Sequence, residues 1–178
     1  MATEIVFETH SLTEDNEVGI ATGWLPGRLS ARGRELARDL GARRRCDRLA
    51  AVFSSDLVRC VETLTIAFAG SEVPHLLDWR LRECDYGRCN GWAAAEVHRT
   101  RAAHVVEPYP GGESWSEAIA RVGRFLHDLP LRWDGTRVLL IGHTATRFAL
   151  DHFVERVPVE DLVDRDFHWR PGWEYRLS

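Results

Sequence analysis

Leu49-Ala50-Ala51-Val52-Phe53-Ser54-Ser55-Asp56-Leu57-Val58-Arg59-Cys60-Val61-Glu62-Thr63 reads as a strand that turns directly into a helix. Leu49 to Phe53 is an apolar run of strand length. From Asp56 to Ala69, Leu57, Val61, Leu64 and Phe68 recur at helical spacing, so the period changes across Ser54 and Ser55. Two other stretches read alike. Glu4 to Phe7 is a short strand running into Glu8-Thr9-His10, and Arg137 to Ile141 is a run of the fully buried strand type ending in Gly142-His143. A helix follows the latter from Thr144 to about Val154.

The remaining segments extend this alternation. Ser30 caps a helix running to about Leu40, with Gly41 as its stop. His75 to Leu81 is expected as a further strand, and Trp173 to Leu177 as an edge strand. Ser114 and Glu117 have capping-box spacing and open a helix with Ile119, Val122, Leu126 and Leu129 on one face. Residues 11–29 and 82–92, punctuated by glycines, read as long loops of the kind that often carry function. A helix of roughly ten residues is expected after the second loop, before a turn over Pro108 to Gly112.

Alternating strands and helices predict a three-layer α/β/α sandwich with a mostly parallel sheet, as one domain over residues 1–178. His10, His143, Ser54 and Ser55 then all lie just past the carboxyl ends of strands, with Arg59 one turn into the following helix. Open α/β sheets bind ligands at that edge.

Composition narrows the partners. A net charge of −4 supplies no basic field for nucleic acid, and no apolar run approaches the length needed to span a bilayer. Met1 to Phe7 lacks the pattern of a secretory signal, so a cytoplasmic location is expected. Cys46, Cys60, Cys84 and Cys89 are expected as free thiols. No lysine occurs, so all 23 basic residues are arginine.

Two histidines, an arginine and a carboxylate at one sheet edge suit phosphoryl transfer. A neutral imidazole is a nucleophile near pH 7. A second histidine and an arginine can hold a phosphoryl group and stabilise its developing charge, and a carboxylic acid can protonate the leaving oxygen. The helix starts at Asp56 and Thr144 add backbone donors. Such a site needs no metal.

The motifs carry a resemblance to the histidine phosphatase (phosphoglycerate mutase-like) superfamily. Its opening Arg-His-Gly-Glu-Thr and following Asn resemble Thr9-His10-Ser11-Leu12-Thr13 with Asn16. Its Ser-Ser-Asp-Leu, Arg and Glu-Thr resemble Ser54-Ser55-Asp56-Leu57, Arg59 and Glu62-Thr63. Leu81-Arg82-Glu83 leading to Gly87 and Gly91, Gly112-Glu113-Ser114, and the strand ending at His143-Thr144 follow in the family's order. The resemblance implies a phosphomonoesterase that forms phosphohistidine at His10. Arg59 and His143 would bind the phosphoryl oxygens, and Glu83 would act as acid and then as base for water. Thr9, Ser11, Asn16, Arg28 and Thr144 would line the phosphate and substrate pocket. Ser54 and Ser55 would position its wall. No cofactor or metal is called for, and the partner would be a small phosphorylated molecule. Whether the chain forms a homodimer is left open. The compact chain fits a phosphatase better than a mutase with closing insertions.

The pattern breaks at several positions, Ser11 in place of glycine among them. Thr9 replaces the arginine beside the nucleophile, a loss worth several kcal/mol of transition-state stabilisation. Thr144 replaces a glycine. Glu8 stands where an apolar residue is usual, and a carboxylate buried there needs a partner, with Arg59 or Arg147 in reach of the argument. Three explanations follow: Arg28 or Arg147 replaces the lost arginine, the substrate is not a simple phosphomonoester, or the protein binds without turnover. Asp85 and Glu113 rival Glu83 as the acid. Glu8, His10 and His143 form a conceivable metal set, Cys84, Cys89, His98 and His104 a weak zinc-like one, and Trp24, Trp92 and Trp115 a conceivable aromatic wall.

Overall fold

The computed structural model describes residues 1–178. In chain order its elements are β1 (Thr3–Thr9), α1 (Glu14–Glu17), β2 (Ile20–Ala21), α2 (Ala31–Arg44), β3 (Ala51–Ser54), α3 (Val58–Ala67), β4 (His75–Leu77), β5 (Trp92–Ala93), α4 (Ala94–Thr100), α5 (Trp115–Asp128), α6 (Pro130–Trp133), β6 (Arg137–Gly142), α7 (Thr144–Phe153), α8 (Val159–Val163) and β7 (Trp173–Leu177). The main sheet has the order β4-β3-β6-β1-β7, and β2 pairs with β5 apart from it. β4, β3, β6 and β1 are parallel, and β7 closes the β1 edge in antiparallel fashion.

Side-chain alternation sorts the core into two layers. Ile5, Phe7, Phe53, Val138 and Leu140 face α5 and α7, in the larger cluster with Val122, Phe125 and Phe148. Val6, Val52, Leu139 and Ile141 face the other way and pack with Leu40, Cys60 and Leu64 of α2 and α3. Both faces are covered, which is why the central strands are continuous apolar runs. This is the expected three-layer sandwich.

Several expectations shift in detail. β1 continues through Glu8 and Thr9 because both keep pairing with β6. α2 runs through Gly41 to Arg44. Gly41 is a contact glycine: a Cβ there would lie 2.1 Å from the Ala67 carbonyl oxygen of α3, so the two helices approach backbone to side. The strand expected over residues 75–81 stops at Leu77, because Asp78 caps a short 3-10 turn over Trp79–Leu81. Within the loop 11–29, Thr13 and Asn16 form the capping box of α1, and Ile20–Ala21 pairs with Trp92–Ala93.

Glu8 finds its partners on the α2 side. Its side chain is 1% exposed and accepts bonds from Arg43 Nε (3.0 Å), Arg43 Nη2 (2.9 Å) and Arg44 Nε (2.8 Å). The expected pairing with Arg59 or Arg147 is therefore replaced, and no carboxylate is added to the pocket by Glu8. The two arginines retain some access to water, so stranding them costs less than breaking a fully enclosed pair. Glu8→Ala is expected to destabilise the fold by about 2 kcal/mol, read as a lower urea midpoint with an unchanged slope. An unmoved midpoint would mean the triad contributes nothing.

Candidate active site

Register delivers the site. Thr9 pairs with Gly142 and Ser54 with Ile141, so three parallel strands end at one level. The next residues are His10, His143 and Ser55. The His10 amide still bonds the Gly142 carbonyl (3.0 Å), and the Ser55 amide bonds that of Ile141 (3.1 Å). The two imidazoles lie 5.1 Å apart between ring centres.

The ring of His10 has a defined tautomer. Its Nδ1 lies 2.8 Å from the Ser11 carbonyl oxygen. A carbonyl only accepts, so Nδ1 carries the proton and Nε2 carries the lone pair. Burial first, then the charge of Arg59, lowers the pKa of His10 to about 3, against a weaker opposing effect of the Ser11 carbonyl. The residue as a whole is half-buried, which tempers the effect of burial. Both main causes push the same way, so the imidazole is neutral at pH 7.

Arg59 is 2% exposed. Its guanidinium donates to the carbonyls of Gly23 (2.8 Å) and Leu25 (3.2 Å) and to His143 Nδ1 (3.3 Å). No carboxylate comes within ion-pair distance of it. A buried guanidinium held only by neutral acceptors is a standing invitation to an anion. Because arginine only donates, His143 Nδ1 is an acceptor, and its proton sits on Nε2, facing Ser55 Oγ (3.0 Å) and Cys60 Sγ (3.3 Å).

His143 is neutral as well: burial, then Arg59, then His10 hold its pKa well below 6.5. In the unfolded chain it would titrate near 6.5. Below that pH the unfolded state binds a proton that the folded state refuses, so stability falls as pH drops. The slope for this one group is at most about 1.4 kcal/mol per pH unit. Urea unfolding at pH 7.5 and pH 5 should show this loss in the native protein and a shallower one in His143→Gln. Equal slopes would show that His143 does not titrate differently on folding.

Glu83 is anchored at the start of α7. Its Oε1 accepts from the amides of Cys84 (2.9 Å) and Ala145 (3.0 Å), and Oε2 from that of Thr144 (3.2 Å). The helix start expected to be open for phosphate is thus taken up in positioning this carboxylate. Its rivals are occupied elsewhere. Asp85 Oδ1 accepts from Gly87 N and Asn90 Nδ2, holding its own loop. Glu113 pairs through both oxygens with Arg121, at 2.7 Å each.

Arg121 is the functional residue that reading the sequence missed. It is 2% exposed and donates to the carbonyls of Arg80, Arg82 and Glu83. Together with Glu113 it clamps the backbone from which Glu83 projects. The only signal in the sequence was an arginine flanking the apolar face of α5, one residue before Val122.

The outer pocket residues fare differently. Thr9 is half-buried at the end of β1, and Thr144 lines the mouth beside Glu83. The Ser11 hydroxyl donates to the Gly33 carbonyl (2.6 Å), which removes it as a phosphate donor. Asn16 is exposed, and its Oδ1 accepts from the Thr13 amide (3.2 Å), so it supports the loop. Arg28 does not replace the missing arginine: its side chain is 71% exposed and lies 3.9 Å from Glu14. Nor does Arg147, which rests over Trp173 (4.6 Å) and faces Asp151 (3.6 Å). Trp115 is fully buried in the core and walls no substrate pocket, whereas the half-buried Trp24 donates to the Glu83 carbonyl beneath the Arg82 guanidinium. Trp92 is half exposed beside β2. No three His, Cys, Asp or Glu side chains converge as a metal cage, and Glu8 in its arginine pair is unavailable to one.

Residues 5–168 match the histidine phosphatase superfamily, branch 1. The chain belongs to that superfamily. It is 33% identical to the 2,3-bisphosphoglycerate-dependent phosphoglycerate mutase of Methylobacterium radiotolerans, over 98% of this chain and 89% of that protein. Mutase 2 of the same description from Latilactobacillus sakei is 26% identical, over 90% and 88% of the two chains. Among solved structures, YhfR of Bacillus stearothermophilus superposes with a TM-score of 0.85 at 26% identity, covering 96% of this chain and 88% of that one. A mycobacterial glucosyl-3-phosphoglycerate phosphatase shares the fold with a TM-score of 0.78 at 23% identity, covering 90% and 83%. No helix in this superfamily member is long and apolar enough to cross a membrane.

Proposed function

We propose that the protein hydrolyses a small phosphomonoester through a phosphohistidine formed at His10. The observation that carries this reading is the His10–Arg59 pair: an imidazole with its Nε2 lone pair free, beside a buried guanidinium that has no carboxylate partner. Nε2 attacks phosphorus, the P–N bond forms as the P–O bond breaks, and the leaving oxygen takes a proton from Glu83. Water then attacks the phosphohistidine, giving its proton to Glu83 and releasing phosphate and neutral His10. Arg59 stabilises the charge on the equatorial oxygens, and neutral His143 orients that guanidinium through Nδ1. Superfamily relatives that are mutases and a structural neighbour that is a phosphatase are compatible with hydrolysis and with transfer alike.

One observation favours a second reading. With Thr9 at the family's arginine position and neither Arg28 nor Arg147 in its place, the phosphoryl group would meet one guanidinium only. The protein would then be a diverged member that binds ligand with little or altered turnover, on a phosphate or another substrate. Turnover of para-nitrophenyl phosphate, with and without chelator, separates the readings. Hydrolysis that survives chelator supports the proposal. Silence in the native protein with gain in Thr9→Arg supports the second reading.

A further inference from the structure

We propose that Trp24 is a positioning residue that holds the acid, Glu83, in place relative to Arg59. The inference rests on the reading of the site as a phosphoryl pocket. The indole of Trp24 donates from Nε1 to the Glu83 carbonyl oxygen at 2.7 Å, and Arg121 Nη2 donates to the same oxygen at 3.0 Å. That carbonyl and the Cys84 amide belong to one planar peptide unit, and the Cys84 amide in turn donates to Glu83 Oε1 at 2.9 Å. Whatever orients the carbonyl therefore orients a donor that holds the carboxylate. A bond to the carbonyl also polarises the unit and strengthens its N–H as a donor.

The backbone on either side of Trp24 reaches Arg59. The carbonyls that accept from Arg59 Nη2 and Nη1 belong to Gly23 and Leu25, the chain neighbours of Trp24. Those bonds and the one to His143 Nδ1 take three of the five guanidinium N–H groups, which leaves Nε and one N–H of Nη1 to a phosphoryl oxygen. One tripeptide thus joins the group that grips the phosphoryl oxygens to the group that protonates the leaving one. It has little room to give way. Gly23 sits at φ +54°, and a Cβ there would lie 1.8 Å from Asn90 Oδ1. Asn90 Oδ1 also accepts from the amides of Trp24 (3.3 Å) and Tyr86 (3.0 Å). The Trp24 ring packs against the guanidinium groups of Arg82 (4.7 Å) and Arg121 (5.8 Å).

Trp24→Phe keeps a ring against both arginines and removes the N–H. Phenol is a weaker acid than para-nitrophenol, so phenyl phosphate depends more on a proton donor than para-nitrophenyl phosphate does. The ratio of kcat/KM for the nitrophenyl ester to that for the phenyl ester should rise about tenfold in Trp24→Phe. Glu83→Gln should raise the ratio at least as far, and adding Trp24→Phe to Glu83→Gln should move it by no more than about twofold. A residue that only supports the fold would lower both esters alike and leave the ratio where it was. A second measurement needs no turnover. Hydrogen exchange at the Cys84 and Ala145 amides, which donate to the carboxylate, should be about tenfold faster in Trp24→Phe, while exchange across β6 stays the same and reports an intact fold. Faster exchange at those two amides in a protein that hydrolyses neither ester would sink the hydrolase reading and leave the positioning role standing. An unmoved ratio where there is turnover, or unmoved exchange where there is none, overturns the role of Trp24.

Discussion

Replacing His10 with alanine is expected to lower kcat for para-nitrophenyl phosphate by at least about 10⁴-fold. The size follows from the lack of any substitute. His143, the nearest imidazole, is engaged at both nitrogens, by Arg59 and by Ser55 and Cys60. Cys60 is fully buried, and burial pushes its thiol up to about 12, so no thiolate is present near neutrality. Ser55 Oγ accepts from the Leu57 amide (3.2 Å) and faces His143. Deleting one imidazole therefore removes the only free nucleophile. Residual turnover within tenfold of native would mean that the reaction bypasses His10. In the native protein kcat/KM should also show no acid limb near pH 6.5 from the nucleophile, because burial and Arg59 keep His10 neutral well below that pH.

Arg59→Gln should cost about 10³-fold in kcat, at the upper end of what one preorganised donor contributes. The family's second arginine is Thr9 here, so Arg59 carries the charge alone. The change has a second consequence that mere loosening of the fold would not produce. Arg59 is one of the causes that depress the pKa of His10, so an acid limb in kcat/KM should move upward in the variant. A fall in kcat with an unmoved pH profile would place Arg59 in support of the loop at Gly23 and Leu25 rather than against the phosphoryl group.

The positions of these groups were legible because they depend on local signals. His10, Ser55 and His143 follow apolar runs of strand length, and parallel pairing then aligns the ends of those runs. Arg59 follows from the helical spacing around it. What stayed illegible depends on contacts between segments distant in the chain. Glu8 gave no hint that its partners were Arg43 and Arg44, which lie a whole helix away. Gly41 has the signature of a helix stop, yet it serves a contact with Ala67. Arg121 looks like a surface arginine until the loop over Arg80 to Glu83 folds onto it. Arg28 and Arg147 were equal replacements for the missing arginine on paper, and only the placed backbone shows both turned elsewhere.

The central claim is that His10 Nε2 becomes phosphorylated, and the direct measurement is to trap that species. The native protein is mixed with a fast phosphomonoester, quenched in base within the first turnovers, digested and examined by mass spectrometry. The account predicts one phosphoryl group on the peptide carrying His10, stable to base, lost in acid and absent from His10→Ala. Turnover with no phosphorylated intermediate on that peptide, or with the group on another residue, would contradict it.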